Sequence, residues 1–549
     1  FYVEYSNTGS QAMPAPLLVL GSSRPDDLPF FTLDPSLRVS GFWTSALPAG
    51  YSHTVEILAS GKVPGVLEPG ESFTVPVYYA GMQRPWNFNE STFQFNLQVY
   101  TQKDQATVDW GGLASSLQPA GLSSAAWGAV YAGLTADLGN TWGDYVRMLD
   151  NNARYLGKLG ENVNDVAQLW QFAILQADGL SPAPVLSSST DLSVPSAGIP
   201  LDFTRTFGAS VVARNLSGPF GYGWTDNWQY SLTSAADGTV TVIMPSGLTR
   251  VFQPDSRGTD YFDQAGDHGV LSLLADGTYQ LLETNGTIEH FNANGTLDYV
   301  QDANGNRVTA GYTSGQLTSL TSSSGGSIAI GYNSAGLIST LTSSDGRVVQ
   351  YSYDAANQHL SSVLSYDGGT TSYSYVAGTN AAVANALARV VNPGGDSVEF
   401  AYQTDGLLAS TSRDGGGDRV VFAYNQGEVS ATNAGGGTSY YFYNEQGRLL
   451  KYVDPLGNAS YASYDASGNL VGLTGPTGLT ATYTYNAAGL PTSATNALGQ
   501  TTTFTYVAGG NELASVTGPT GQTTNFAYDA HGNQTSVQYP DQSVTSTTY

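Results

Sequence analysis

The 549-residue sequence contains no cysteine. That excludes disulfides, thiol catalysis and cysteine-ligated zinc. Lysine is almost as scarce, with only Lys62, Lys103, Lys158 and Lys451. The 44 acidic residues outnumber the 19 basic ones, and the net charge of −25 repels phosphate backbones, which excludes nucleic acid as a partner. The same charge disfavours anionic lipid surfaces. No apolar run approaches the roughly 18 residues of a membrane-spanning helix, so no membrane insertion is expected within this sequence. Charged residues make up 11% of the chain, against about 25% in ordinary domains. Glycine has no period of three, and Lys and Glu are too sparse for a coiled coil.

What is present instead is aromatic and β-forming. The 35 Tyr, 20 Phe and 8 Trp set the chain apart from disordered polyelectrolytes, and its length suggests about three or four domains. The fold class expected is mainly β. Residues 1–108 read as an antiparallel sandwich. Phe73, Val75, Val77 and Tyr79, and again Phe93, Phe95, Leu97 and Val99, recur at every second position, a period that turns one face of each strand inward. Asn7-Thr8-Gly9, Pro48-Ala49-Gly50 and Pro69-Gly70 supply turns. The segment from Leu67 to Val75 (Leu-Glu-Pro-Gly-Glu-Ser-Phe-Thr-Val) resembles the turn and strand of immunoglobulin-like modules in secreted bacterial proteins.

Residues 109–179 switch to a helical period. Trp142, Tyr145, Leu149, Ala153, Leu156, Leu159, Val163, Val166, Trp170 and Ala173 form one apolar stripe. Ser123 or Ser124 is placed to cap a first helix and Asn140 or Thr141 a second, with Gly179 as the stop. Gly157 and Gly160 weaken the second helix; if continuous over 141–177 it would be about 55 Å long. Its stripe must lie against another element, either the β-region that follows or another subunit. Residues 180–200, rich in Pro and Ser, are expected to form an extended connector.

From residue 201 onward the chain repeats itself. Tyr312, Tyr332, Tyr353, Tyr375, Tyr402, Tyr424, Tyr443, Tyr464, Tyr485, Tyr506, Tyr528 and Tyr549 recur at a step of mostly 19–22 residues, and Phe291 holds the same place one step earlier. Each tyrosine is followed by a turn, as in Tyr464-Asp-Ala-Ser-Gly-Asn-Leu470. About ten residues later comes a second turn, such as Asp454-Pro-Leu-Gly457 or Gly475-Pro-Thr-Gly478. Two turns per repeat leave two strands of about six residues, so each repeat is a β-hairpin that must stack on its neighbours to bury a face.

The unit Tyr-Asp/Asn-x-x-Gly-x-Leu resembles the YD repeat of bacterial RHS (rearrangement hot spot) proteins and of teneurins. Upstream, Leu201-Asp-Phe-Thr-Arg-Thr-Phe207, the motif Gly218-Pro219-Phe220-Gly221-Tyr222-Gly223-Trp224, and Asn227-Trp-Gln-Tyr230 resemble the lead-in to an RHS β-region. The resemblance covers residues 199–549 and implies an antiparallel β-hairpin spiral that forms a hollow shell. In bacterial toxins of this family the shell encloses a C-terminal effector; in teneurins it is an extracellular scaffold for adhesion. Tyr312, Tyr375 and Tyr506 lack the following aspartate, and the step from Tyr375 to Tyr402 carries an insertion. The domains expected are an Ig-like β-sandwich (1–108), an α-helical segment (109–179), a connector (180–200), an RHS lead-in β-region (201–300) and a YD-repeat β-shell (301–549) that is incomplete at its C-terminal end. Twelve hairpins amount to about 24 strands, which at about 4.8 Å per strand close into a ring near 37 Å across. That is too narrow for a 100-residue cargo, whose radius of gyration is about 13 Å.

Candidate chemistry is thin. Asp454-Pro455 matches the Asp-Pro at which RHS toxin shells cut themselves, yet it stands in register with the ordinary second turns and reads as one. Asp302-Ala-Asn304-Gly-Asn306 resembles the first half of a calcium loop, but Arg307 and Thr313 stand where such a loop wants Gly and Glu. No cofactor is assigned, and calcium held by scattered carboxylates is left unlocated. His53, His268, His290, His359 and His531 form no metal-binding spacing, and no catalytic residue is assigned. The expected function is a non-enzymatic secreted or cell-surface scaffold for adhesion or extracellular structure, with surface proteins, glycans or copies of itself as partners. The alternative is an RHS-type container for a C-terminal toxin beyond residue 549, since the sequence starts without Met and stops part-way through a repeat. An enzyme acting on polysaccharide is the third reading, which a cluster of carboxylates in a cleft lining the shell would revive.

Overall fold

A computed structural model of the chain describes residues 1–22, 28–35, 51–82, 94–118, 122–245, 247–255, 261–263, 267–378, 380–507, 512–529 and 533–548. The turn at 48–50, Phe93, His531 and Tyr549 lie outside the described residues.

Residues 2–100 build small antiparallel sheets around Val3, Leu18, Leu20, Phe31, Val55, Ile57, Ala59 and Val77. Leu17–Ser22 lies between Val55–Leu58 and Phe95–Tyr100, Tyr2–Ser6 pairs with Ser72–Pro76, and Pro29–Thr32 pairs with Tyr78–Met82. The inward row expected at Phe95, Leu97 and Val99 is not buried: these side chains are 39%, 42% and 53% exposed. Their strand is an edge strand of its three-stranded sheet. The face that carries them is covered at one end, where Phe95 meets Phe1, Phe31 and Tyr79.

Four helices follow: α1 (Trp110–Leu117), α2 (Ser124–Leu138), α3 (Trp142–Lys158) and α4 (Val166–Asp178). Ser123 caps α2, and Thr141 and Asp144 form a capping box at α3. The long helix does not form, because Gly160 takes a φ of +92° and Asp165 starts a new helix by accepting the Ala167 N–H. The apolar stripe packs on Ala15, Leu17 and Leu58 of the preceding β-unit. Tyr145 donates to Glu56 at 3.0 Å and Arg154 to the Gly65 carbonyl at 3.1 Å, which fastens the two units. The far side of the helices reaches the repeats, where the Tyr155 hydroxyl accepts the Tyr443 N–H at 3.0 Å.

The segment expected as a connector is a strand. Val185–Val194 pairs along its length with Leu201–Gly208, which pairs in turn with Trp224–Asp226. The reason is long-range: buried Asp191 forms an ion pair with buried Arg205 at 2.7 Å and accepts the Tyr351 hydroxyl at 2.6 Å. These strands form a plug. After a four-stranded sheet over Ser231–Phe262, a single antiparallel meander of 27 strands runs from Val270–Leu273 to Val544–Ser546. The continuous sheet therefore starts about 30 residues before the boundary expected at 301. Phe203, Phe207, Phe220, Trp224 and Trp228 of the plug share one core with the inward residues of the sheet, and the buried members of that core end at Tyr443.

The sheet also comes round upon itself. His268, just before its first strand, meets Asn469 at 3.1 Å, and a Cβ on Gly489 would lie 2.3 Å from the His268 ring. About nineteen strand steps separate these points, a circumference of roughly 90 Å and a diameter near 29 Å at about 4.8 Å per strand. The ring is narrower than one made of all the strands, and the last hairpins run past the closure.

Candidate functional site: the tyrosine seam and the face it lines

Most turns of the repeats use one geometry. At 465–469 the Asp465 N–H donates to the Asn469 carbonyl, the Gly468 N–H returns to the Asp465 carbonyl, and Gly468 takes a φ of +81°. This is a type I turn closed by a left-handed glycine. The Asp465 carboxylate accepts the Asn469 N–H at 2.8 Å and its side-chain amide at 3.0 Å. Those hydrogen bonds hold its pKa below the ordinary carboxylate value. Asp302 and Asp454 repeat the arrangement with Asn306 and Asn458. The half calcium loop and the Asp-Pro step are thus built as turns, with their carboxylates already occupied by turn donors.

The repeat tyrosines stand at an irregularity in the ladder. A register shift falls immediately before Tyr312, Tyr332, Tyr353, Tyr375, Tyr402, Tyr443, Tyr464, Tyr485, Tyr506 and Tyr528, and before Phe291. Tyr424 lacks the shift. Each bulge interrupts the ladder and leaves a backbone group to satisfy. The next tyrosine supplies the partner: the Tyr485 hydroxyl donates to the Leu470 carbonyl at 2.8 Å, and Leu470 is the residue opposite Tyr464. Tyr332, Tyr353, Tyr375, Tyr402, Tyr464, Tyr506 and Tyr528 do the same fifteen residues back, and Tyr424 sixteen back, at 2.5–3.3 Å. The Tyr312 hydroxyl stands near the backbone of Leu297. In nine of the repeats the tyrosine hydroxyl thus locks a hairpin to the one before it, a bond that a phenylalanine could not make.

The upstream motif is the tip of the plug, set into this seam. Gly218 pairs with Gly221 in a short hairpin, and the Pro219 carbonyl accepts the Ile338 N–H at 2.9 Å. Phe220 packs edge-on against Tyr351. Gly221 and Gly223 have φ of +83° and +80°, and a Cβ on either would lie 2.3 Å from Gln358 or Phe207. Trp224 donates from its indole N–H to the Tyr375 hydroxyl at 2.8 Å and lies 4.7 Å beneath the Arg205 guanidinium.

Sequence reasoning missed a group of buried acids around the plug. A cleft of about 780 Å³ is lined by Asp226, Arg250, Asp267, His268 and Glu283. Arg250 binds Asp267 through two nitrogens, at 2.5 and 2.7 Å, and also bonds Glu283. Burial pushes Asp226 and Glu289 up to about 7. These residues are far apart in sequence, so no spacing could reveal them. Among the described residues no group of three or more His, Asp or Glu is arranged to hold a metal ion.

With this geometry in view, comparison with known proteins is direct. The family profile of the RHS Repeat matches residues 332–358, 464–501 and 508–544. The chain carries RHS repeats in these segments. A second profile, that of a domain of unknown function (DUF6531), matches residues 184–252, the plug and the first strands after it. No curated protein matches the RHS-repeat chain. Among solved structures, the crystal structure of TcdB2-TccC3-TEV is 14% identical over 64% of this chain and 20% of its own, with a TM-score of 0.33. TcdB2-TccC3 without its hypervariable C-terminal region is 13% identical over 79% of this chain and 25% of its own, with a TM-score of 0.34. The Photorhabdus luminescens Tc holotoxin pore is 12% identical over 62% of this chain and 22% of its own, with a TM-score of 0.28. The chain spans about a fifth to a quarter of these structures.

Proposed function

We propose that this RHS-repeat chain is a non-enzymatic part of the wall of an extracellular container, with the inward face of its later hairpins lying against an enclosed polypeptide. One observation carries the reading. Beyond Tyr443 the sheet keeps an amphipathic alternation with its apolar row turned inward, at Tyr483, Phe504, Val516, Phe526 and Val537, but these side chains are only half-buried. The opposite row is Ser and Thr, paired hydroxyl to hydroxyl at 2.8 Å in Thr474–Thr480, Thr495–Thr501 and Thr517–Thr523. An apolar face on a single-layer sheet marks a binding surface. The ring closed by His268 is filled by the plug, so space for cargo has to come from strands past the closure. The carboxylates of the cleft favour structure over catalysis, because Asp267 and Glu283 are both committed to Arg250. A scaffold for adhesion is the second reading, favoured by the exposed apolar row at Phe95, Leu97 and Val99.

Limited proteolysis of the full-length native protein, followed by intact mass and C-terminal peptide sequencing, tests the proposal. A non-repeat segment that resists digestion and stays with the shell is expected. Recovery of repeats and β-modules alone, with no protected segment, overturns the container and leaves the scaffold.

A further inference from the structure

Where the plug meets the first repeats there is a second cavity, of about 490 Å³, bounded by Asp226, Trp228, Gln229 and Tyr230 on the plug side and by Tyr312 and Tyr332 on the sheet. None of the described residues that line it is Lys, Arg or His. The Asp226 side chain is buried, and one carboxylate oxygen accepts the Trp228 N–H at 2.9 Å, its single hydrogen bond. The side-chain oxygen of Gln229 is buried without a hydrogen bond. Two donors close by are already used: the Trp228 indole N–H goes to the Asp202 carbonyl and the Tyr332 hydroxyl to the Leu317 carbonyl, both at 2.7 Å. The neighbouring cleft, which Asp226 also borders, holds His268 and Arg250, and Arg250 is neutralised by Asp267 and Glu283.

A carboxylate taken out of water costs several kcal/mol unless a proton or a cation neutralises it. Burial pushes Asp226 up to about 7, so a proton competes for it near neutral pH; burial, and after it the Asp226 charge, raises the Tyr312 and Tyr332 hydroxyls as well. Four aromatic side chains around an acceptor that lacks a donor suit a ligand carrying positive charge, N–H groups and a short hydrocarbon stem.

We propose that this cavity is a binding site for an alkylammonium ion, which donates to Asp226 and rests its charge and methylene groups against Trp228, Tyr230, Tyr312 and Tyr332. The cation takes the place of the proton: the ammonium binds, the carboxylic acid gives up its proton to solvent, and net charge in the cavity is unchanged. A free diamine and a lysine side chain of a polypeptide share this chemistry.

Isothermal titration of the native chain with 1,5-diaminopentane, with Nα-acetyl-lysine methylamide and with uncharged 1,5-pentanediol, in two buffers of different ionisation enthalpy, tests the proposal. Saturable binding of an ammonium probe but not the diol is expected. Affinity should rise about tenfold from pH 6 to pH 8, with release of about half a proton per ligand at pH 7. The tighter ammonium probe identifies the source. Asp226→Asn should weaken binding at least tenfold and abolish proton release. Absence of saturable binding of both ammonium probes, equal binding of the diol, or unchanged binding by a folded Asp226→Asn chain overturns the proposal. Should that variant not fold, binding by the native chain that is independent of pH and of buffer overturns it equally.

Discussion

The hairpins before Tyr443 and those after it share a turn, a bulge and a tyrosine seam, but their inward rows face different surroundings. In the first stretch Leu320, Ile328, Leu341, Val349 and Leu360 are fully buried against the plug. In the second, the equivalent row alternates Tyr483, Phe504 and Phe526 with Ala494, Thr502 and Thr524, all short of full burial. Main-chain ladders and tyrosine bonds are sufficient to build a sheet one layer thick. A packed core arises only where a second layer lies against it, and the residue types follow, with large aliphatic side chains under the plug and small or amphipathic ones beyond it.

That contrast can be broken most sharply at Trp224. Trp224→Ala removes a side chain packed against Phe207 and Tyr373 and should cost about 3–5 kcal/mol. Phe504→Ala should cost only about 1 kcal/mol. Equal losses by urea denaturation would abolish the distinction between the two stretches. Asp191→Ala, which strands buried Arg205 and the Tyr351 hydroxyl, should cost about 3 kcal/mol, measured the same way.

Acidity should separate the stretches as well. Asp226 and Glu289, both raised to about 7 by burial, lie in the plugged part. The unfolded chain loses these protons near pH 4 while the folded one keeps them to about 7. Their stabilisation is therefore complete at low pH and is lost as pH rises through 7, with a fall of about 2–3 kcal/mol for each group between pH 5 and pH 8. Denaturation midpoints of the native chain and of Asp226→Asn/Glu289→Gln check this, the double variant giving the flatter profile. The smallest effect is in the seam itself. Tyr485→Phe should cost about 1 kcal/mol, whereas Tyr375→Phe should cost about 2 kcal/mol because it also deprives the Trp224 indole of its acceptor. Thermal melts of the two variants compare them.

Much of the local architecture was legible. The step between tyrosines, the glycine in each turn and the caps at Thr141 and Gly179 act through residues a few positions apart, so a one-dimensional reading finds them. Val185–Val194 was illegible for the opposite reason. Its Ser and Thr run reads as a connector, and it becomes a strand because Asp191 finds Arg205 and Tyr351, the latter 160 residues away. The exposure of Phe95, Leu97 and Val99 was hidden likewise, since alternation announces an inward face and does not say whether another layer reaches it. The acids of the cleft carry no motif, because folding alone brings Asp226 beside Tyr312 and Tyr332.

The hairpin, its two turns and the place of the tyrosine follow from short-range chemistry: a left-handed glycine, a carboxylate or amide that caps its own turn, and a hydroxyl long enough to reach the carbonyl exposed at the preceding bulge. Where the sheet curls, which of its faces is filled and which stays open were decided by contacts across 150 to 290 residues, as in Trp224 with Tyr375, His268 with Asn469 and Tyr155 with Tyr443. Burial is a property of the second layer, and the alternation along a strand does not say where that layer ends.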